Sequence, residues 1–202
     1  MLTIALPKGR IADETLDRFE KAFGEKFVFE DRKLILEKSG FKFLNVRNQD
    51  VPTYVMHGAA DLGVVGLDVL EEKEYDLIKL LDLKLGRCKV AFGLRAGEKL
   101  NFDKSKITIA TKHEKIAKKY FEQKAMAVEI IKLYGSIELA PLVGLCDCIV
   151  DIVETGETMK QNGLEVRPTI METAAHLIAN KNSFYAKKDL IFDLKDKLEK
   201  FL

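Results

Sequence analysis

An α/β fold with mostly parallel sheets, arranged as two lobes, is the architecture this sequence predicts. Short β-type runs alternate with helix-period patterns along the chain, the signature of parallel strands joined by crossover helices. Glycine or proline punctuates the runs, and 202 residues accommodate two lobes of about one hundred residues better than one continuous sheet. The lobes are drawn as residues 1–94 with 171–202, and residues 95–170.

The first strand is Leu2-Thr3-Ile4-Ala5-Leu6, stopped by Pro7 and Gly9. Behind it Ala12, Leu16, Phe19 and Phe23 recur at i, i+4, i+7 and i+11, the apolar stripe of a helix. Asp61 to Gly66 reads as a buried strand, and Leu77–Leu85 and Lys89–Leu94 as extended pieces flanking Gly86. Arg95-Ala96-Gly97-Glu98 is polar and glycine-bearing, suited to a crossover into the second lobe. There Ile107–Thr111 is a strand, followed by a helix with Ile116 and Tyr120 on one face. Ala127–Leu133 and Cys148–Val153 are the next strands, and Thr158–Asn162 a helix that Gly163 can terminate. Asp189–Leu202 closes the chain as an amphipathic helix with Leu190, Leu194 and Leu198 at i, i+4 and i+8. No repeat or low-complexity segment is visible in the sequence.

Composition narrows the function. The 33 Lys and Arg against 32 Asp and Glu leave +1, without the basic excess of a general nucleic-acid binder. A local phosphate pocket remains compatible with that balance, because opposite charges elsewhere cancel it. With 47% hydrophobic residues, intrinsic disorder is excluded as the main state. No apolar run reaches the roughly 18–20 residues that span a bilayer. The N-terminus is apolar first and basic afterwards, the reverse of a secretory signal. Cys88, Cys146 and Cys148 make an odd count without Cys-x-x-Cys spacing, so they read as core-filling thiols of a reducing compartment, the cytoplasm.

Three segments carry chemistry. Asp151-Ile152-Val153-Glu154-Thr155-Gly156-Glu157-Thr158 leaves a buried strand and enters a helix through a Thr-Gly-x-Thr turn. A helix start offers unpaired N–H groups, Gly156 lets the backbone approach an anion, and Thr155 and Thr158 add hydroxyls, so a phosphate monoester would be held. Asp151 and Glu154 could accept from sugar hydroxyls or hold Mg²⁺ through water. The same residues also suit a plain helix start capped by Thr155. Lys8-Gly9-Arg10 follows the first strand, where parallel sheets collect ligands, and could hold polyphosphate or form a basic surface turn. Arg32 and Arg47 could bind diphosphate oxygens in bidentate fashion, or be solvated. His57, His113 and His176 show no metal-cluster spacing, and no Gly-x-Ser-x-Gly elbow or Walker A loop is present.

In order along the chain, these segments resemble the short-form catalytic subunit of the ATP phosphoribosyltransferase family. The resemblance runs through Ala5–Arg10, Asp31–Leu34, Val46-Arg47 with Asp50–Val55, Gly58–Asp68, Leu81–Cys88, Gly135–Pro141 and Glu154–Thr158. Cys146 stands where the family usually has a small Ser, Ala or Gly, Met159 where Leu is common, and Asn48-Gln49 replaces a proline-containing pair. The resemblance implies a two-lobed architecture like that of type II periplasmic binding proteins. It also implies transfer of phosphoribose from phosphoribosyl diphosphate to N1 of ATP, the first step of histidine biosynthesis.

The implied roles are as follows. Lys8, Arg32 and Arg47 act in catalysis, and Lys8, Gly9, Arg10, Asp61 and Asp68 bind ATP and diphosphate. Asp151, Glu154, Thr155, Gly156, Glu157 and Thr158 bind phosphoribosyl diphosphate. Mg²⁺ is held mainly by substrate, with no metal site of the protein's own. The chain ends before the regulatory domain of the long form, so the expected partner is a separate regulatory subunit related to histidyl-tRNA synthetase. A homodimer would be the building block of the resulting hetero-octamer, with no nucleic acid or membrane involved. Two other classes remain open on the residues: a two-lobed solute-binding module, and a salvage phosphoribosyltransferase of the more usual fold. The first usually carries an export signal, and the second two adjacent acids before its phosphate turn.

Overall fold

The chain folds as two units in a computed structural model that describes residues 1–101 and 104–202. Met1–Gly86 with Ala174–Leu202 form unit 1, and Arg87–Thr173 form unit 2. Unit 1 begins with β1 (Leu2–Pro7), α1 (Arg10–Phe23), β2 (Ile35–Lys38), β3 (Phe41–Val46), α2 (Val51–Met56), β4 (Leu62–Gly66), α3 (Leu67–Lys73) and the first half of β5 (Ile78–Arg95). Unit 2 takes the second half of β5, then β6 (Ile107–Thr111), α4 (Glu114–Glu122), β7 (Val128–Lys132), α5 (Leu139–Leu142), β8 (Cys148–Val153), α6 (Glu157–Gln161) and the start of β9 (Leu164–Ala179). The end of β9, α7 (Lys181–Ala186) and α8 (Lys188–Glu199) complete unit 1.

Both cuts fall inside long strands, not at the 94/95 and 170/171 positions read from the sequence. The polar Arg95–Glu98 stretch lies beyond the point where β5 has already joined β8, through Lys89↔Val153 to Gly93↔Ile149. Nor does Gly86 break β5 into two strands. It and Lys84 adopt φ 56° and 54° within one continuous strand.

One backbone plan is used twice. In unit 1, β1 lies between its parallel neighbours β3 (Leu2↔Phe41 through Pro7↔Val46) and β4 (Ile4↔Leu62), and β9 runs antiparallel beside β4. In unit 2, β6 lies between β7 (Ile107↔Val128 onward) and β8 (Ile109↔Cys148), and β5 runs antiparallel beside β8. The β2–β3 hairpin, antiparallel from Ile35↔Leu44, is an addition to unit 1. The plan repeats although the sequence does not, because many different apolar sets satisfy the same strand order.

Each unit covers both sheet faces. In unit 1, Leu2, Ile4 and Leu6 of β1 meet Ala12, Leu16 and Phe19 of α1 and Ile191, Leu194 and Leu198 of α8. Phe19 packs edge to face on Phe43 at 5.0 Å between ring centroids, an arrangement that adds about 0.5–1.5 kcal/mol beyond area burial. The opposite face holds Ala5, Val51, Val55, Val65 and Ile178. In unit 2, Val90, Phe92, Ile109 and Phe121 cover one face and Ala91, Ala110, Ile149 and Met159 the other. The closing helix buries Ile191, Leu194 and Leu198, whereas Leu190, expected in its stripe, is 52% exposed. Cys146 and Cys148 are buried and Cys88 only half-buried, so two of the three thiols fill core. Among the described residues no helix is long and apolar enough to cross a membrane.

Candidate active site

Ligands of open α/β sheets collect beyond the carboxyl ends of the strands, where successive connections leave a central strand in opposite directions. β1 of unit 1 and β6 of unit 2 are such strands, and the motif residues gather beyond each.

At β1, register does the assembly. Pro7 pairs with Val46, and the Lys8 N–H donates to the Val46 carbonyl at 2.8 Å, which sets Lys8 beside Arg47. Gly9 follows with φ 95° and ψ −156°, a conformation that L side chains rarely adopt, and its carbonyl accepts from the Ala12 N–H at 2.9 Å to open α1. Lys8, Gly9, Arg10 and Arg47 are all exposed. Arg10 makes a 3.8 Å pair with Glu14 at i+4, a contact weak enough for a polyphosphate to replace. Arg32 precedes β2, and the carbonyl of Leu34, just before that strand, accepts from the Asn45 N–H at 2.8 Å, so the exposed Arg32 sits at the same end of the sheet as Arg47. Asp68 also lies at this end, in the first turn of α3 directly after β4, but it is 3% exposed.

Asp61 is elsewhere. It precedes β4, at the amino end of the strands, and its oxygens accept from Lys187 Nζ at 2.7 and 2.8 Å and from the Thr3 N–H at 2.9 Å. Burial raises its carboxyl, but the hydrogen bonds from Lys187, the Thr3 amide and Ser183 outweigh that and hold it below its ordinary value. The Asp61 N–H returns to the Thr3 carbonyl at 2.8 Å, closing a clip between β1 and β4. Asp147 makes the same clip in unit 2: Thr108 donates to its carboxylate at 2.9 Å, and its own N–H donates to Thr108 at 2.8 Å. A carboxylate so occupied, at the wrong end of the sheet, is a structural tie; the ATP and diphosphate role expected of Asp61 does not fit its position.

In unit 2 the chain leaves β8 through Glu154 and Thr155 to Gly156, which takes φ 82° and ψ 0° as the residue capping α6. The Gly156 φ is one that L side chains rarely adopt, and a Cβ here would lie 3.1 Å from Val166 Cγ2, which would have to shift by a few tenths of an ångström, so the backbone angle reserves this position for glycine. Thr155 is not the cap itself, but its Oγ1 accepts from the Glu157 N–H at 3.3 Å. α6 has only five residues, too short for much macrodipole, so anion binding here rests on the loop N–H groups and hydroxyls. Glu154, Thr155, Glu157 and Thr158 are exposed.

Asp151 lies one residue past the Thr111↔Val150 pair, which places Lys112 alongside it. Lys112 Nζ is 3.0 Å from Asp151 Oδ1, and buried His113 has its Nε2 4.0 Å from the same oxygen. Sequence reasoning missed both residues, since 39 positions separate Lys112 from Asp151 and only the strand register joins them. Among the described residues, no three His, Cys, Asp or Glu side chains converge as a metal-ligand set.

Comparison with known proteins names this arrangement. The model of the ATP phosphoribosyltransferase family matches residues 47–200. The ATP phosphoribosyltransferase of Wolinella succinogenes is 67% identical over 200 residues, covering 99% of this chain and 97% of that protein. The solved ATP phosphoribosyl transferase HisG:HisZ complex from Thermotoga maritima superposes with a TM-score of 0.87 at 36% identity, covering 99% of this chain and 98% of that one. Arginine-bound ArgBP of Thermotoga maritima shares the fold alone, with a TM-score of 0.59 at 10% identity over 100% of this chain and 95% of that one. The architecture is therefore of the type II periplasmic-binding-protein kind. The chain belongs to the ATP phosphoribosyltransferase family.

Proposed function

We infer that this chain transfers phosphoribose from phosphoribosyl diphosphate to N1 of the adenine of ATP, releasing diphosphate, the first step of histidine biosynthesis. Membership of the family and the 67% identity to a full-length relative carry the reaction. The observation that carries the site is the hydrogen bond from Lys8 to Val46, which sets Lys8 and Arg47 side by side beyond β1 and β3. The likeness to solute-binding proteins, at 10% identity, is one of fold and supports no second reading.

The chemistry asks for charge stabilisation rather than a nucleophile on the protein. Adenine N1 has a lone pair at neutral pH, so no strong base is required. The barrier lies in C1′ becoming oxocarbenium-like as diphosphate departs, which positioned cations lower. Arg32, Arg47 and Lys8 are assigned to the departing diphosphate, and Lys8, Gly9 and Arg10 also to ATP phosphates. Asp68, expected to bind ATP and diphosphate, is only 3% exposed and is assigned instead to orienting that edge from the first turn of α3. Glu154, Thr155, Gly156, Glu157 and Thr158 are assigned to the 5′-phosphate and ribose, with Asp151 beside them.

Mg²⁺, when bound, screens the diphosphate charge. It would be held mainly by substrate oxygens and water, with Asp151 and Glu154 able to reach it through water. The partner we propose is a regulatory subunit of the HisZ kind, as the Thermotoga maritima HisG:HisZ complex suggests, and the assembly we propose with it is a hetero-octamer built on homodimers of this chain. The proposed compartment is the cytoplasm, in keeping with three cysteines outside any disulfide. Absorbance during incubation with ATP, phosphoribosyl diphosphate and Mg²⁺, with and without that partner, tests the assignment. Product is expected, and its absence under both conditions would refute the reaction.

A further inference from the structure

We propose that Lys112 is a positioning residue for the phosphoribosyl site, holding the Asp151 carboxylate in the orientation that accepts ribose hydroxyls. The inference rests on the reading of Asp151–Thr158 as the phosphoribosyl diphosphate loop and adds to it a residue from a different strand. Four contacts build the corner. The Thr111 hydroxyl donates to the Val150 carbonyl at 2.6 Å, locking the end of β6 against β8. The same oxygen accepts from the His113 N–H at 2.9 Å, which turns the chain sharply after the strand. Lys112 then lies beside Asp151 with Nζ 3.0 Å from Oδ1, and that oxygen also accepts from the Ile152 N–H at 2.8 Å. With Asp151 13% exposed and the ring of His113 1% exposed behind it, Oδ1 is held on the protein side.

Electrostatics favours such a cation. The loop carries Asp151, Glu154 and Glu157, yet its assigned ligand is itself polyanionic. Glu157 shares an oxygen with the Gln161 amide at 3.0 Å, a neutral contact that leaves its charge in place. Lys112 neutralises Asp151 without occupying both of its oxygens. The carboxylate therefore keeps acceptor capacity for a sugar hydroxyl while repelling phosphate less. About one-third exposed, Lys112 itself can be changed without opening a core.

Steady-state kinetics of the full chain decide the point, with circular dichroism and thermal midpoints checking that each variant folds. Lys112→Met is expected to raise KM for phosphoribosyl diphosphate about 10-fold, the scale of losing one charged hydrogen-bond partner, and to leave KM for ATP unchanged. Lys112→Arg is expected to recover most of the loss. In an Asp151→Asn background, Lys112→Met is expected to add less than about 2-fold, because its action runs through Asp151. Full additivity would overturn the positioning role and make Lys112 a direct ligand. A silent Lys112→Met beside an impaired Asp151→Asn would overturn the inference and leave the loop assignment standing. A silent Asp151→Asn would remove the loop assignment, and this inference with it.

Discussion

At the scale of single residues, Asp61 shows how one carboxylate can suggest a ligand in sequence and serve as a clip in structure. Its net downward shift makes it a source of stability above the ordinary carboxylate pKa of about 4, lost as pH falls through the lower folded value. Asp61→Asn keeps an acceptor for the Thr3 amide but removes the charge that faces Lys187. With Lys187 about one-third exposed and partly screened, the expected cost is about 1–2 kcal/mol at pH 7 in urea unfolding. The gap between variant and parent should narrow as pH falls below about 4 and close only below the lowered folded value, where the folded parent loses the same charge. A gap unchanged at pH 3 would contradict the ion pair as its source. Cys148 offers a second test. Burial first, then the neighbouring Cys146 and Asp147, push its thiol up to about 12. At pH 8, iodoacetamide followed by mass spectrometry should label half-exposed Cys88 well before Cys148 in the folded chain.

Among elements, α8 separates what periodicity can and cannot resolve. Leucines at 190, 194 and 198 and the set Ile191, Leu194, Leu198 are both valid helical stripes, offset by one residue. Which set turns inward depends on where α8 docks against α1 and β1, and that contact is tertiary. Ile191→Ala should cost about 2–5 kcal/mol, whereas Leu190→Ala should stay within about 0.5 kcal/mol. Equal losses in chemical denaturation would place the helix face wrongly. β9 escaped sequence reading for a related reason. Its sixteen residues include Arg167, Pro168, Glu172 and Thr173, and an alternation so interrupted gives no strand signal. The Phe41–Val46 strand and the hairpin to Ile35–Lys38 were missed as well, because β2 is mostly exposed and has no buried face to mark it. By contrast β1, β6 and β8 were legible nearly to the residue, since strands buried along most of their length appear as mostly apolar runs.

For the whole molecule, the repeated plan gives each unit its own carboxyl edge with its own polar set. The proposed division of labour is cationic residues of unit 1 on the diphosphate and ATP, and the Thr-Gly-x-Thr loop of unit 2 on phosphoribose. Arg47→Ala should therefore lower kcat by at least about 10²-fold, the usual cost of losing one transition-state donor. Thr158→Val should instead weaken binding of phosphoribosyl diphosphate, read by calorimetry, with a smaller change in kcat. If the two variants exchange these signatures, the assignment of substrates to units is reversed.

Local sequence was enough for the α/β class, strands β1, β4, β6 and β8, the glycine turns at Gly9 and Gly156 and the family resemblance. These are local properties: apolar run length, backbone freedom and short motifs survive without knowledge of neighbours. Tertiary structure alone decided which charged residues share an edge. Register set Lys8 beside Arg47 and Lys112 beside Asp151, and the pairing of β1 with β4 clipped Asp61 to Thr3. Coulombic and hydrogen-bonding interactions act over a few ångströms of space, whatever the separation along the chain.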